Sequence, residues 1–348
     1  MFKNLFAKKP NKRVRISGTE IDFEVGKNQT VLEAALAQGF EFPHDCTVGT
    51  CGSCRSKLLS GKVDAITPFG YTLSREELTA GYILSCQAVP QSDIEIAVDL
   101  EAAASHAETV SGRIVETRDL THDIKLVSWE VERPVSYKAG QYMNVRWPSG
   151  PGPRSYSFST EPGEGGRTRL STFIRKVPGG AFTEALFKGE LDDAAFEIEA
   201  PHGHFWLHDG DGPILLVGGG SGLSPLMSLL EDAVSRSVQR DAILLFGGRE
   251  ERDLYYLDEI AEIGRRWKGK FEFWPVLSQT EAPGRRFGMV TAEIPAAIAE
   301  LGGVDGLQAY MCGPPVMIDA GVAALTSQGV PIDDIHYDKF TDASTGGN

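Results

Sequence analysis

The chain has 348 residues, enough for two or three domains, and its hydrophobic fraction of 41% is that of an ordinary globular protein. Its net charge of −14 argues against a nucleic-acid binder, which needs cations to neutralise phosphates. No run approaches the roughly 18 apolar residues of a membrane span, and the opening segment lacks the apolar core and small-residue cleavage site of a secretory signal, so the expected compartment is the cytoplasm.

Residues 1–13 are a basic leader in which Phe2, Leu5 and Phe6 stand among Lys3, Lys8, Lys9, Lys12 and Arg13. Such a segment is either a solvated tail or a peripheral contact with the inner membrane. A first domain is expected over 14–100. It opens with alternating strands at Val14–Ile16 and Ile21–Val25, followed by a helix from Val31 to about Gln38. Thr30 and Glu33 form its capping box, and Gly39 is placed to stop it. A loop rich in cysteine and glycine follows, and Asp93–Val98 alternates as a closing strand. Residues 101–108 are small and polar and read as a linker. Over 109–208, short β-like runs such as Ile124–Trp129 and Gln141–Val145 are split by glycine and proline, which predicts a barrel or sandwich. Over 209–348 the apolar runs Ile214–Val217, Ala242–Phe246, Phe271–Leu277 and Gln308–Cys312 alternate with helical stretches, which predicts a parallel α/β sheet.

Four of the five cysteines, Cys46, Cys51, Cys54 and Cys86, follow the spacing C-x4-C-x2-C…C. This is the plant-type [2Fe–2S] spacing, in which one short loop wraps three thiolates around the cluster and glycines let N–H groups turn towards sulfur. A zinc site usually takes two C-x2-C-like pairs, whereas only Cys51 and Cys54 form one here. A Rieske centre needs two histidine ligands, and no C-x-H occurs. His44 is read as lying outside the ligand set, as are His202, His204 and His208, which are placed on a barrel edge.

Two further motifs point to a flavin. Arg154-Ser155-Tyr156-Ser157 offers a phosphate clamp, a ring and a hydroxyl. About twenty residues on, Ile174-Arg175 runs into a glycine turn and a helix start at Gly180 and Thr183, the kind of place where free N–H groups meet a pyrophosphate. The loop Gly218–Pro225 joins a buried strand to a helix, with Ser224 and Pro225 read as N-cap and first helical residue. It is G-x-G-x-x-P in place of the usual dinucleotide fingerprint, and Cys312-Gly313-Pro314 ends a later strand where α/β sheets bind ligands.

These motifs together resemble the reductase components of bacterial multicomponent oxygenases, in which an N-terminal plant-type ferredoxin is fused to a module like ferredoxin–NADP⁺ reductase. The stretches Phe42–Gly61, Arg154–Ser159 and Asp253–Ile260 tilt the likeness towards the xylene monooxygenase electron-transfer type. The resemblance implies a β-grasp ferredoxin domain, an antiparallel β-barrel for FAD and a parallel-sheet α/β domain for NAD. It implies that Cys46, Cys51, Cys54 and Cys86 hold the cluster, and that Arg154, Tyr156, Ser157, Ile174, Arg175, Gly180 and Thr183 serve FAD. Gly220, Gly222, Pro225, Cys312, Gly313 and Pro314 would serve the nucleotide, with Cys312, Tyr156 and Ser157 nearest the chemistry. Phe340 matches an aromatic that covers the flavin in related chains, though eight residues follow it.

NADH is the implied donor. The local residues are mixed: Glu250 and Glu251 would repel a 2′-phosphate, while Arg249 and Arg252 would attract one. A flavin reconciles a two-electron donor with a one-electron cluster. The implied partner is the oxygenase or hydroxylase that receives the electrons, in the narrowest form a membrane di-iron hydroxylase acting on a hydrocarbon. Reductases of Rieske dioxygenases, soluble di-iron monooxygenases or deoxysugar dehydratases would carry the same three modules. A stand-alone quinone or ferric reductase would not need the ferredoxin domain.

Overall fold

The computed structural model describes residues 11–44, 49, 52–100, 107–147, 150, 152–192 and 194–340. The chain divides into two compact units, Met1–His106 and Ala107–Asn348.

In the first unit the strands are β1 (Lys12–Ile16), β2 (Asp22–Val25), β3 (Arg55–Ser60), β4 (Val63–Ala65), β5 (Tyr82–Leu84), β6 (Ala88–Pro90) and β7 (Ile94–Ala97). The helices are α1 (Val31–Ala37) and α2 (Arg75–Thr79). Five strands form one sheet in the order β2-β1-β7-β3-β5. Among the described residues of this sheet, only β1 and β7 run parallel. Alternation does what it predicts: Val14, Ile16, Phe23 and Val25 are buried while their neighbours face out. The α1 residues Val31, Leu32, Ala34 and Ala35 join the same core, giving the β-grasp arrangement. The Thr30–Glu33 capping box is present, and Gly39 has φ +80 just past the helix end. Lys12 and Arg13, which the sequence assigns to the leader, belong to β1 instead. The Arg13 amide donates to Asp93 at 2.9 Å. Leader residues 1–10 lie outside the described residues.

The second unit opens with β8 (Glu108–Asp119), β9 (Ile124–Val135), β10 (Tyr142–Arg146), β11 (Arg154–Ser157) and β12 (Arg167–Arg175). Helix α3 (Ala181–Phe187) and β13 (Ala195–His202) follow. These strands form an antiparallel sheet in the order β11-β10-β13-β8-β9-β12. A bridge between Phe158 and Thr172 joins its two ends into a barrel. The interior is filled by fully buried Val127, Trp129, Met143, Phe158, Leu170 and Ile198. The Trp129 indole N–H finds the Thr172 hydroxyl at 3.0 Å, so this buried donor is satisfied. β13 lies between β10 and β8, so His202 ends an interior strand and not a barrel edge.

Next come β14 (Ile214–Gly219), α4 (Leu223–Ser235), β15 (Ala242–Gly248), α5 (Leu257–Arg266), β16 (Phe271–Leu277) and β17 (Arg286–Phe287). The unit closes with α6 (Ile294–Glu300), β18 (Gln308–Gly313), α7 (Pro315–Ser327) and β19 (Ile335–Lys339). Their sheet, β17-β16-β15-β14-β18-β19, is parallel throughout. After β14 the chain first builds outward through β15 and then returns to β18 on the other side. The carboxyl ends of β14 and β18 therefore flank the point where strand order reverses, which is where open α/β sheets bind ligands. Among the described residues no helix is long and apolar enough to cross a membrane.

Candidate functional site

In the first unit, Cys54 immediately precedes β3 and Cys86 lies between β5 and β6; both are buried. The Cys86 amide donates to Cys54 Sγ at 3.4 Å, so the structure brings these two predicted ligands together. Cys46 and Cys51 lie outside the described residues. Gly49 and Gly52 have φ of +81 and +80, a conformation that side chains disfavour. The Gly49 carbonyl accepts the Thr72 hydroxyl. The His44 Nδ1 lies 2.8 Å from the Phe42 carbonyl, a contact that orients its ring by its own backbone. Buried sulfur, left-handed glycines and an N–H aimed at sulfur fit an iron–sulfur cluster.

In the barrel, Arg154, Tyr156 and Ser157 all lie on β11, paired against Val145, Met143 and Tyr142 of β10. The Arg154 guanidinium donates to the Pro153 carbonyl at 2.9 Å and makes no ion pair among the described residues. It is thus a cation still available to a phosphate. Tyr156 leans on Phe182 of α3, with ring centroids 5.4 Å apart. Burial pushes its phenol above the usual value, and the neighbouring Arg154 pulls it back only in part. Ser157 is 6% exposed, and its hydroxyl has no hydrogen bond among the described residues. A hydroxyl left unbonded in this way is open to a group of a bound cofactor. Ile174 has its side chain in the barrel core and is paired with Lys125 of β9. The Thr183 hydroxyl accepts the Val177 amide at 3.0 Å and approaches the Val177 and Gly180 carbonyls at 3.2 Å, closing the turn into α3.

In the parallel sheet, Gly218 pairs with Cys312 across β14 and β18. The glycine loop touches the β18 end so closely that a Cβ on Gly222 would fall 2.1 Å from the Cys312 carbonyl oxygen. Gly220 has φ +57, and its carbonyl accepts the buried Tyr255 hydroxyl at 2.9 Å. Burial pushes the Cys312 thiol well above its ordinary pKa, and the charge of Asp338 adds to this, which disfavours the thiolate. The Phe340 amide donates to the Gly313 carbonyl at 2.9 Å, which sets the last described residue beside the Cys312-Gly313-Pro314 turn.

Ser224 is not the N-cap of α4. The helix begins at Leu223 with Gly222 as its cap, and Pro225 sits in its first turn. The Ser224 hydroxyl is spent on the barrel: it donates to the Ser157 carbonyl at 2.8 Å and accepts the Phe173 amide at 3.1 Å. Further along the same face, Ser228 donates to the Thr160 carbonyl at 2.5 Å. Glu231 accepts the Glu161 amide at 3.1 Å, and Ser235 donates to the Glu161 carboxylate. Ser224, Ser228, Glu231 and Ser235 recur at helical spacing on a mostly apolar helix. That polar stripe was the available sign of a docking face.

A second seam was not foreseen from the sequence. Asp123, in the turn between β8 and β9, receives Arg175 at 3.0 Å and Arg249 at 3.7 Å. Arg249 also meets Asp253 at 3.4 Å. Asp253 accepts the Arg249 and Glu250 amides at 2.9 and 3.0 Å. His122 lies 3.7 Å from Asp253 and 3.9 Å from Asp123. Burial pushes the Asp123 carboxyl up, but the Thr121 hydroxyl, Arg175 and His122 outweigh it and hold it below its ordinary value. Arg175, assigned to the flavin from sequence, thus stands between the barrel and the nucleotide loop.

Three family descriptions match the chain: 2Fe-2S iron-sulfur cluster binding domain over 14–91, oxidoreductase FAD-binding domain over 111–206, and oxidoreductase NAD-binding domain over 216–322. The chain is 38% identical to the xylene/toluene monooxygenase electron transfer component XylA of Pseudomonas putida, over 97% of this chain and 95% of that one. It is 36% identical to an aromatic O-demethylase reductase subunit of an Amycolatopsis species, over 95% and 99% of the two chains. Among solved structures, the Amycolatopsis cytochrome P450 reductase GcoB superposes with a TM-score of 0.70 at 34% identity, covering 95% of this chain and 99% of that one. With a cluster loop, a flavin-fitting barrel strand and a nucleotide-binding sheet edge in one chain, these matches are conclusive: the protein belongs to the family of oxygenase reductase components that join a [2Fe–2S] domain to FAD-binding and NAD-binding domains.

Proposed function

We propose that this chain takes electrons from NADH and delivers them singly to the hydroxylase of a hydrocarbon monooxygenase. The observation that carries this reading is the 38% identity, along nearly the full length of both chains, to a xylene/toluene monooxygenase electron transfer component. When bound, FAD supplies the exchange between a two-electron hydride donor and a one-electron cluster. The protein's part is placement. Arg154 offers charge to a phosphate, Tyr156 a desolvated ring and Ser157 a hydroxyl, while the α4 stripe holds the nucleotide loop against the strand that carries all three. Cys46, Cys51, Cys54 and Cys86 would hold the cluster.

The ion pairs support NADH over NADPH. Arg249 is engaged by Asp123 and Asp253, and Arg252 lies 3.1 Å from Glu250. The two cations that would attract a 2′-phosphate are therefore already balanced by carboxylates, with Glu251 alongside. Anaerobic flavin reduction by each nucleotide at equal concentration tests this: NADH is expected to be faster, and a clear NADPH advantage would reverse the assignment.

The membrane-bound partner rests on the same likeness and on the leader, where Phe2, Leu5 and Phe6 accompany Lys3, Lys8 and Lys9. Lys12 and Arg13 belong to β1, which leaves three lysines in residues 1–10, each worth about 1 kcal/mol beside an anionic leaflet. Full-length protein is expected to co-sediment with anionic vesicles at low salt, and a variant lacking residues 1–10 is not. Equal behaviour of the two would favour a soluble oxygenase as partner.

A further inference from the structure

A buried glutamine directly follows the fourth cysteine. Gln87 is 6% exposed, and its side-chain amide donates to the Cys86 carbonyl at 3.0 Å and to Cys86 Sγ at 3.6 Å. One NH2 group carries two hydrogens, so both contacts come from the same nitrogen. The methylene part of the side chain packs on the cysteine loop, since a Cβ on Gly49 would fall 2.7 Å from Gln87 Cγ. Gln87 therefore touches both the loop that carries three of the predicted ligands and the sulfur of the fourth.

We propose that Gln87 is a positioning residue that sets the reduction potential of the [2Fe–2S] cluster through its N–H···S contact with Cys86, a proposal that rests on reading Cys86 as a ligand. Reduction adds one electron and no proton to a group already made negative by thiolates, with the electron supplied by NADH through the flavin. An N–H dipole aimed at a ligand sulfur stabilises that added charge, and hydrogen bonds to sulfur are among the levers that set cluster potentials. The Cys86 amide bond to Cys54 Sγ comes with the backbone and would survive most substitutions. The Gln87 side chain is a donor that this sequence adds.

The test is Gln87→Met, which keeps length and apolar packing and removes the donor. Iron and acid-labile sulfide are measured first, because their absence from the wild type would sink the cluster reading itself and not this inference. With the cluster in place, the midpoint potential of the variant is expected to fall. A tenfold change in the one-electron equilibrium corresponds to about 59 mV. The rate of flavin reduction by NADH should stay at the wild-type value. An unchanged potential in a fully loaded variant would overturn the proposal. A second measurement needs no variant: in wild-type protein labelled with ¹⁵N at the glutamine side chain, the reduced cluster should show a weak ¹⁵N hyperfine coupling. Absence of that coupling would also overturn it.

Discussion

The Ser224 hydroxyl donates to the Ser157 carbonyl at 2.8 Å and so joins the first turn of the nucleotide-loop helix to the strand that carries the flavin motif. The same hydroxyl accepts the Phe173 amide, and Ser224 is fully buried. Ser224→Ala would leave a buried carbonyl and a buried amide without this partner, at a cost of about 1–3 kcal/mol. The expected result is a lower unfolding temperature for the second unit and slower flavin reduction at saturating NADH. Thermal unfolding and stopped-flow absorbance check the two parts separately.

Glu231, on the same face, is expected to make this seam sensitive to pH. Burial pushes its carboxyl above the ordinary value of 4.5, against a lowering by the Glu161 amide. A carboxyl with a raised pKa in the folded state contributes stability that is present below the unfolded pKa and lost as pH rises through the folded one. Glu231→Gln should remove that loss. The stability difference between variant and wild type, followed by chemical denaturation from pH 4 upwards, should grow in the variant's favour across this window. A difference that stays flat would argue against it.

Asp123→Asn should loosen Arg249 by weakening one of its two carboxylate contacts. The ratio of NADPH to NADH efficiency is expected to rise about two- to fivefold, the scale of one partly exposed ion pair. Steady-state kcat/KM for both nucleotides, with an artificial electron acceptor, measures it.

Gly222→Ala tests the nucleotide loop directly. The added methyl would sit 2.1 Å from the Cys312 carbonyl oxygen, a backbone atom that cannot step aside cheaply. Overpacking of this kind costs about 1–3 kcal/mol. Reduction by NADH should fall sharply, while reduction by dithionite, which needs no nucleotide site, should be unchanged.

Much of this was legible in the chain because the relevant signals are local. The cysteine spacing, the Thr30–Glu33 capping box and the apolar runs of the parallel sheet each depend on residues close in sequence. Ser224 misleads for the same reason: Ser-Pro looks like a helix start, but α4 begins at Leu223, two residues before Pro225, and the hydroxyl answers to Ser157 and Phe173 of the barrel. Asp123 gave no local sign, since its partners Arg175 and Arg249 reach it only through tertiary folding. Lys12 and Arg13 look like part of a basic tail until strand pairing with Val25 and Glu24 claims them. Gln87 carries a polar head into a core position, and only the structure shows that Cys86 is its partner.

The central claim is that electrons pass from NADH through the flavin to a cluster held by the four cysteines, and from there singly to an acceptor. Anaerobic stopped-flow of Cys86→Ser beside the wild type, with NADH as donor and a one-electron protein acceptor, tests it most directly. The predicted result is flavin reduction at the wild-type rate, together with loss of the iron–sulfur absorbance and at least a roughly tenfold slower delivery to the acceptor, a penalty of about 1.4 kcal/mol in the barrier. Delivery at the wild-type rate from the cluster-free variant, or wild-type protein that holds zinc and no sulfide, would contradict it.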